Sequence, residues 1–178
     1  MAMKRMLRHG AAFFALSIAP AAHAQMQSHE DADVGVRMSI PKQWTWKSRP
    51  HDVYVNCAPG KEDRGRPDCY FTIHRLKAPA EQKAITDADR QKWSEWTSGA
   101  GRVIVSKGEA KMAGFPAYHF VVRDGRGDDE TGASRTFVLV PGRGVVFDVR
   151  YNAINNLSDY ERYKPEVMKA LETLRPTR

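Results

Sequence analysis

The chain is poor in cysteine, with only Cys57 and Cys69 among 178 residues. Their spacing is neither Cys-x-x-Cys nor a zinc-ligand pattern, which argues against a redox or metal pair. Long hydrophobic runs are missing as well. A short apolar run at residues 11–19 stops at Pro20, whereas a bilayer-spanning helix needs about 20 apolar residues. No Gly-x-Ser-x-Gly elbow occurs, so the exposed serine of an α/β-hydrolase has no place here. Gly142-Arg143-Gly144 is followed by neither Lys-Ser/Thr nor a helical pattern, which makes it a glycine-bearing turn and not a phosphate loop. His-x-x-x-His and Glu-x-x-His spacings are absent too. An enzyme needs a nucleophile or an acid–base pair held in a cleft. None assembles from these residues, so no catalytic residue and no cofactor is expected.

What is present begins with a processing signal. Lys4, Arg5 and Arg8 form a basic start, residues 11–19 an apolar segment, and Ala22-His23-Ala24 a small-x-small cleavage site. The mature chain then begins at Gln25, and the expected location is periplasmic or secreted. No cysteine follows the cleavage site, which argues against a lipid anchor there. Cleavage removes three of the 28 basic side chains and none of the 21 acidic ones, leaving a formal charge of +4. That is a solubility statement without a Lys/Arg cluster, and it excludes a nucleic-acid footprint. In an oxidising compartment Cys57 and Cys69 are most simply a disulfide. The Gly- and Pro-bearing loop between them would otherwise wander, and closing it contributes roughly 2–4 kcal/mol.

The patterning predicts one α+β domain over residues 34–176, an antiparallel β-sheet flanked by helices, behind a flexible lead at 25–33. Val34 to Ile40 alternates as a first strand. Asp52 to Cys57 and Cys69 to Leu76 read as a hairpin with the stapled loop at its tip. In the second of these, Tyr70, Thr72, His74 and Leu76 share one face, while Phe71, Ile73 and Arg75 share the other. A helix is expected over Asp87 to Ser98, capped by Thr86 with Asp89 in place of the usual Glu. Trp93 and Trp96 are three apart and should pack on the sheet. Strands follow at Val103 to Val105, Phe115 to Val122, Arg135 to Val140 and Val145 to Tyr151. In the last, Val145, Phe147, Val149 and Tyr151 make the apolar face, and Asp148 and Arg150 interrupt the other. Such one-sided alternation predicts an antiparallel sheet with part of one face wet or thinly covered. A closing helix runs from Leu157 to Leu174, with Pro165 either kinking it or marking its start.

Three segments carry a resemblance: Val36-Arg37-Met38-Ser39-Ile40-Pro41 with Trp44, Gly114-Phe115-Pro116-Ala117-Tyr118-His119-Phe120, and Tyr160-Glu161-Arg162-Tyr163-Lys164-Pro165 leading into 168–174. Through them the chain resembles the PsbP/Mog1-like superfamily of small α/β/α proteins over most of residues 34–175. The Cys57–Cys69 insert departs from that pattern. The resemblance implies a binding or assembly factor more readily than an enzyme. Its members include photosystem-associated proteins, a small-GTPase partner, secretion chaperones and some periplasmic immunity proteins.

The expected function is therefore a non-catalytic protein-binding or accessory role in the bacterial envelope, with an immunity or inhibitor protein as its sharpest form. The expected partner is another envelope or secreted protein, with no nucleic acid and no membrane insertion after signal cleavage. The alternative is a small-molecule or metal-ion carrier using a sheet–helix pocket near Trp44, Trp93 and Trp96. Candidate contact residues are Asp124, Arg126, Asp128, Asp129 and Glu130 in a polar hairpin tip, and Trp44 and Trp46 as an aromatic platform. Calcium fits that tip poorly, because Arg126 stands where an EF-type loop wants Asp or Asn.

Overall fold

The computed structural model describes residues 25–63, 66–98, 102–124, 133–142, 144–153 and 157–177. In chain order these form β1 (Met26–Asp31), β2 (Val36–Pro41), β3 (Thr45–Arg49), β4 (Asp52–Asn56), β5 (Glu62–Asp63), β6 (Arg66–Pro67) and β7 (Tyr70–Lys77). Then come α1 (Asp87–Ser98), β8 (Arg102–Met112), β9 (Phe115–Asp124), β10 (Ala133–Gly142), β11 (Val145–Ala153), α2 (Leu157–Leu171) and β12 (Arg175–Pro176). A seven-stranded sheet in the order β3-β4-β7-β11-β10-β9-β8 is antiparallel throughout. A small sheet, β1-β2-β12, stands apart from it, and β5-β6 is a two-stranded ribbon inside the stapled loop. The fold is α+β, as the alternation requires.

The apolar residues of each strand fall on one pleat, and that pleat is the main core. Phe71, Ile73, Leu139, Phe147, Val149 and Tyr151 are buried against Val36, Met38 and Ile40 of β2 and against Tyr160, Val167, Leu171 and Leu174 of the closing helix segment. We call this the inner face. On the outer face a smaller cluster of Phe120, Val122, Val138, Val140 and Val146 packs with Ile85 and Trp93, and α1 lies over β8 and β9. The two helices therefore cover opposite faces. Helix α1 starts where its cap dictates: the Thr86 N–H donates to Asp89 Oδ2 at 3.0 Å and the Asp89 N–H to Thr86 Oγ1 at 3.2 Å. The β8–β9 hairpin turns on Ala113 and Gly114, both with positive φ (55° and 87°), the geometry of a two-residue type I′ turn.

Three expectations need correction. The segment read as a flexible lead holds β1, paired antiparallel with β2 from Met26↔Pro41 to Asp31↔Val36. Its side chains are largely exposed, so the strand is fixed by backbone pairing and leaves no hydrophobic alternation to see. The short strand at Val103 to Val105 extends to Met112, as a polar edge strand with a register shift between Ile104 and Ser106. Pro165 lies inside α2 and does not mark its start.

Candidate functional site

Outside the reach of α1, the outer face of β3, β4, β7 and β11 is polar. Register fixes its centre. Asp52 on β4 and Asp148 on β11 both stand directly opposite His74 on β7, so an acid–imidazole–acid row crosses three adjacent strands. Directly paired residues have Cβ atoms about 4.5–5.5 Å apart. Asp52 and Asp148 are buried, with side chains 11% and 1% exposed, whereas His74 is 29% exposed.

Each carboxylate is held by an arginine from its own or the neighbouring strand. Arg49 Nε donates to Asp52 Oδ1 at 2.6 Å, and its Nη2 donates to Oδ2. Arg150 Nε donates to Asp148 Oδ2 at 2.8 Å, and its Nη2 donates to the same oxygen. Among the described residues Asp148 Oδ1 is buried without a hydrogen-bond donor, an arrangement with a desolvation penalty of about 1–3 kcal/mol. His74 Nε2 is 3.6 Å from Asp52 Oδ2, beyond a hydrogen bond. Burial pushes the His74 pKa below 6.5. Asp148 and Asp52 oppose that shift, and Arg150 and Arg49 reinforce it. The imidazole is thus neutral near pH 7.

Aromatic rings frame the row. The Arg150 guanidinium lies over the Trp96 ring at 3.8 Å, and Arg49 over Tyr54 at 4.9 Å. Tyr54 and Tyr70 stack at 5.5 Å. Trp93 packs on the smaller core as expected, but Trp96, 46% exposed, serves instead as the platform for Arg150. The sequence had flagged Asp148 and Arg150 as interruptions on one pleat. Their partners, Asp52 and His74, become visible only once the register is known.

The residues singled out from sequence scatter. Cys57 and Cys69 are bonded, with Cα atoms 5.2 Å apart, as expected. Trp44 is 6% exposed and packs edge-on against Phe71, so it is core and offers no platform. Trp46 is partly buried against the same core and stacks on His29 at 5.2 Å. Trp44 belongs to the inner face and Trp93 and Trp96 to the outer, so the expected tryptophan pocket does not form. Asp124 ends β9, while Arg126, Asp128, Asp129 and Glu130 lie outside the described residues, as does the segment 1–24. His119 is on the inner face near Phe137, opposite to His74, and His51 is exposed between β3 and β4. Among the described residues, no group of three or more His, Cys, Asp or Glu side chains is placed to hold a metal ion. No described helix is long and apolar enough to cross a membrane.

Comparison with solved structures places this architecture. A cyanobacterial PsbP from Synechocystis sp. PCC 6803 superposes with a TM-score of 0.56 at 15% identity, covering 90% of this chain and 97% of that one. The chain has the PsbP/Mog1-like fold. The Ran-binding protein Mog1p of Saccharomyces cerevisiae matches with a TM-score of 0.59 at 6% identity, over 86% of this chain and 96% of its own. LpqN, involved in cell envelope biogenesis of Mycobacterium tuberculosis, matches at 0.55 and 16% identity, over 88% and 92%. At such identities the likeness is one of PsbP/Mog1-like fold alone. In sequence the chain matches no protein-family model and no curated protein.

Proposed function

We propose that this is an exported, non-catalytic accessory protein that binds another envelope or secreted protein through the open half of its outer face. The observation that carries the reading is the Arg49, Tyr54, Tyr70, Arg150 and Trp96 surface, assembled where the end of α1 meets the open part of the sheet. Tyr, Trp and Arg are the residue types that dominate binding hot spots, because they combine large contact area with a polar handle. The row beneath them is poorly arranged for catalysis. Both carboxylates are engaged by arginines, and His74 makes no hydrogen bond among the described residues that would activate a nucleophile. The disulfide fits an oxidising compartment. LpqN, described as involved in cell envelope biogenesis, and Mog1p, described as Ran-binding, lend support by fold.

The test is capture from native envelope extract of a bacterial host by the full chain expressed with its own N-terminal segment. Trp96→Ala with Tyr70→Ala is expected to reduce retention of the captured protein at least about tenfold, the effect of losing a hot spot. Retention indifferent to both changes would remove the reading. The mass of the recovered chain reports whether cleavage falls after Ala24. An immunity or inhibitor role is the narrower version, and it requires the captured protein to be a toxin or hydrolase that the chain silences.

A further inference from the structure

The charges on the open half of the outer face are sorted by depth. Arg49 is 46% exposed and Arg150 28%, while Asp52 and Asp148 lie beneath them at 11% and 1%. Lys47 is exposed and shares the pleat of Arg49, being paired with Tyr54. Every exposed charge on this pleat of β3, β4, β7 and β11 is therefore positive, and the buried carboxylates orient the guanidinium groups. Such a surface selects against a basic partner and attracts an acidic one.

The spacing is set as well. Arg49 is fixed to Asp52 and Arg150 to Asp148, and these carboxylates stand on the two strands flanking His74. Two strand spacings separate the anchors by roughly 10 Å. Each guanidinium spends Nε and one Nη2 hydrogen on its carboxylate, which leaves three of its five N–H hydrogens, two of them on Nη1, for a second acceptor. Asp148 engages Arg150 through Oδ2 alone, and Arg150 uses the same two donor nitrogens as Arg49. Stacking on Trp96 and Tyr54 holds both groups in place and lowers the entropy lost on binding.

We infer that this surface docks an acidic segment of a protein partner, with Arg49 and Arg150 each receiving one of its carboxylates. The inference rests on the reading that a protein partner uses this face. It adds the chemistry that the partner must present.

A deca-glutamate peptide and its deca-glutamine counterpart are the probes, with binding read by tryptophan fluorescence and calorimetry. The parent chain is expected to bind deca-glutamate saturably and deca-glutamine not at all, with affinity falling as salt rises from about 50 to about 300 mM. Arg49→Gln, made together with Asp52→Asn, is expected to weaken deca-glutamate at least about tenfold. Arg150→Gln is made together with Asp148→Asn, so that no buried carboxylate is stranded, and is expected to do the same. Equal binding of the two peptides, or deca-glutamate binding unchanged in both variants, overturns the inference. So does a dimer in sedimentation that Trp96→Ala abolishes and that excludes deca-glutamate, since the face would then belong to a second copy. If the captured protein's retention falls with Trp96→Ala and Tyr70→Ala but ignores salt and Arg49→Gln with Asp52→Asn, the acidic anchor fails while the partner reading stands. If retention ignores the aromatic changes too, the partner reading itself fails.

Discussion

On the inner face, the seven-stranded sheet places Phe71, Phe147 and Tyr151 at 0%, 1% and 0% exposure against β2 and α2. One pleat away, the same strands place Asp148 at 0%, with Arg150, His74 and Asp52 around it. Phe147, Asp148 and Val149 are sequence neighbours, yet they sit in an apolar interior, in an ionic layer, and in the interior again. Because successive side chains point to opposite faces, one strand serves two environments that share nothing but a backbone. The inner face has an evident stabilising role. The ionic layer does not, because a buried ion pair is often matched or bettered by apolar residues of similar size. A layer rich in oriented cations, of a kind that often adds little stability over apolar residues, is better explained by what it meets.

Substitutions can break this contrast in order of size. Phe147→Ala on the inner face is expected to lose about 3–5 kcal/mol, the range for a buried aromatic truncated in a packed core, read by urea unfolding. A loss under about 1 kcal/mol would mean that this face is not the core. On the outer face, Arg150→Met is expected to lose about 3 kcal/mol, because it strands the Asp148 carboxylate in the interior. Asp148→Ala should lose less, since Arg150, at 28% exposure, still reaches water. The opposite order would show that the guanidinium, and not the carboxylate, is the costly buried group.

Thr86→Ala removes the cap that starts α1 and is expected to lose about 1 kcal/mol. The change should also loosen the Trp96–Arg150 stack, visible as a reduced near-ultraviolet circular dichroism signal. An unaltered signal would separate the helix from the site.

The smallest effect concerns pH. His29, His74 and His119 all titrate below 6.5, chiefly because burial disfavours the charged ring. Below about 6.5 the unfolded chain binds more protons than the folded one, so stability is full above that value and falls as pH drops through it. His74→Gln is expected to flatten the fall in Tm between about pH 7 and about pH 5. A slope identical to the parent's would assign the whole effect to the other two imidazoles.

Much of the architecture was legible in the residues themselves. The alternation in Val145 to Tyr151 named the inward side chains correctly, and Thr86 with Asp89 placed the start of α1 at Asp87. The thiol pair was readable from the expectation of an oxidising compartment and from its loop. Strand β1 was not, because a strand that buries almost no side chain leaves no period in its sequence. The far half of β8 escaped because its outward residues Lys107, Glu109 and Lys111 are exposed and polar, the first two bonded to Ser94 and Arg90 of α1. The site was harder still. Asp52, His74 and Asp148 lie far apart in sequence and meet through strand register, which local patterning cannot supply. The Trp44 platform failed because the chain entering β3 turns that ring onto Phe71.

The bond between Cys57 and Cys69, with the Cys57 N–H donating to the Cys69 carbonyl at 3.0 Å, closes residues 58–68 at their base. The clamp fixes the pair of ends that the loop presents to β4 and β7. The protein thus carries a built-in socket. Foreign sequence grafted beyond Ala58, which is buried in the main core, carries a fluorescent or affinity handle on a fixed base.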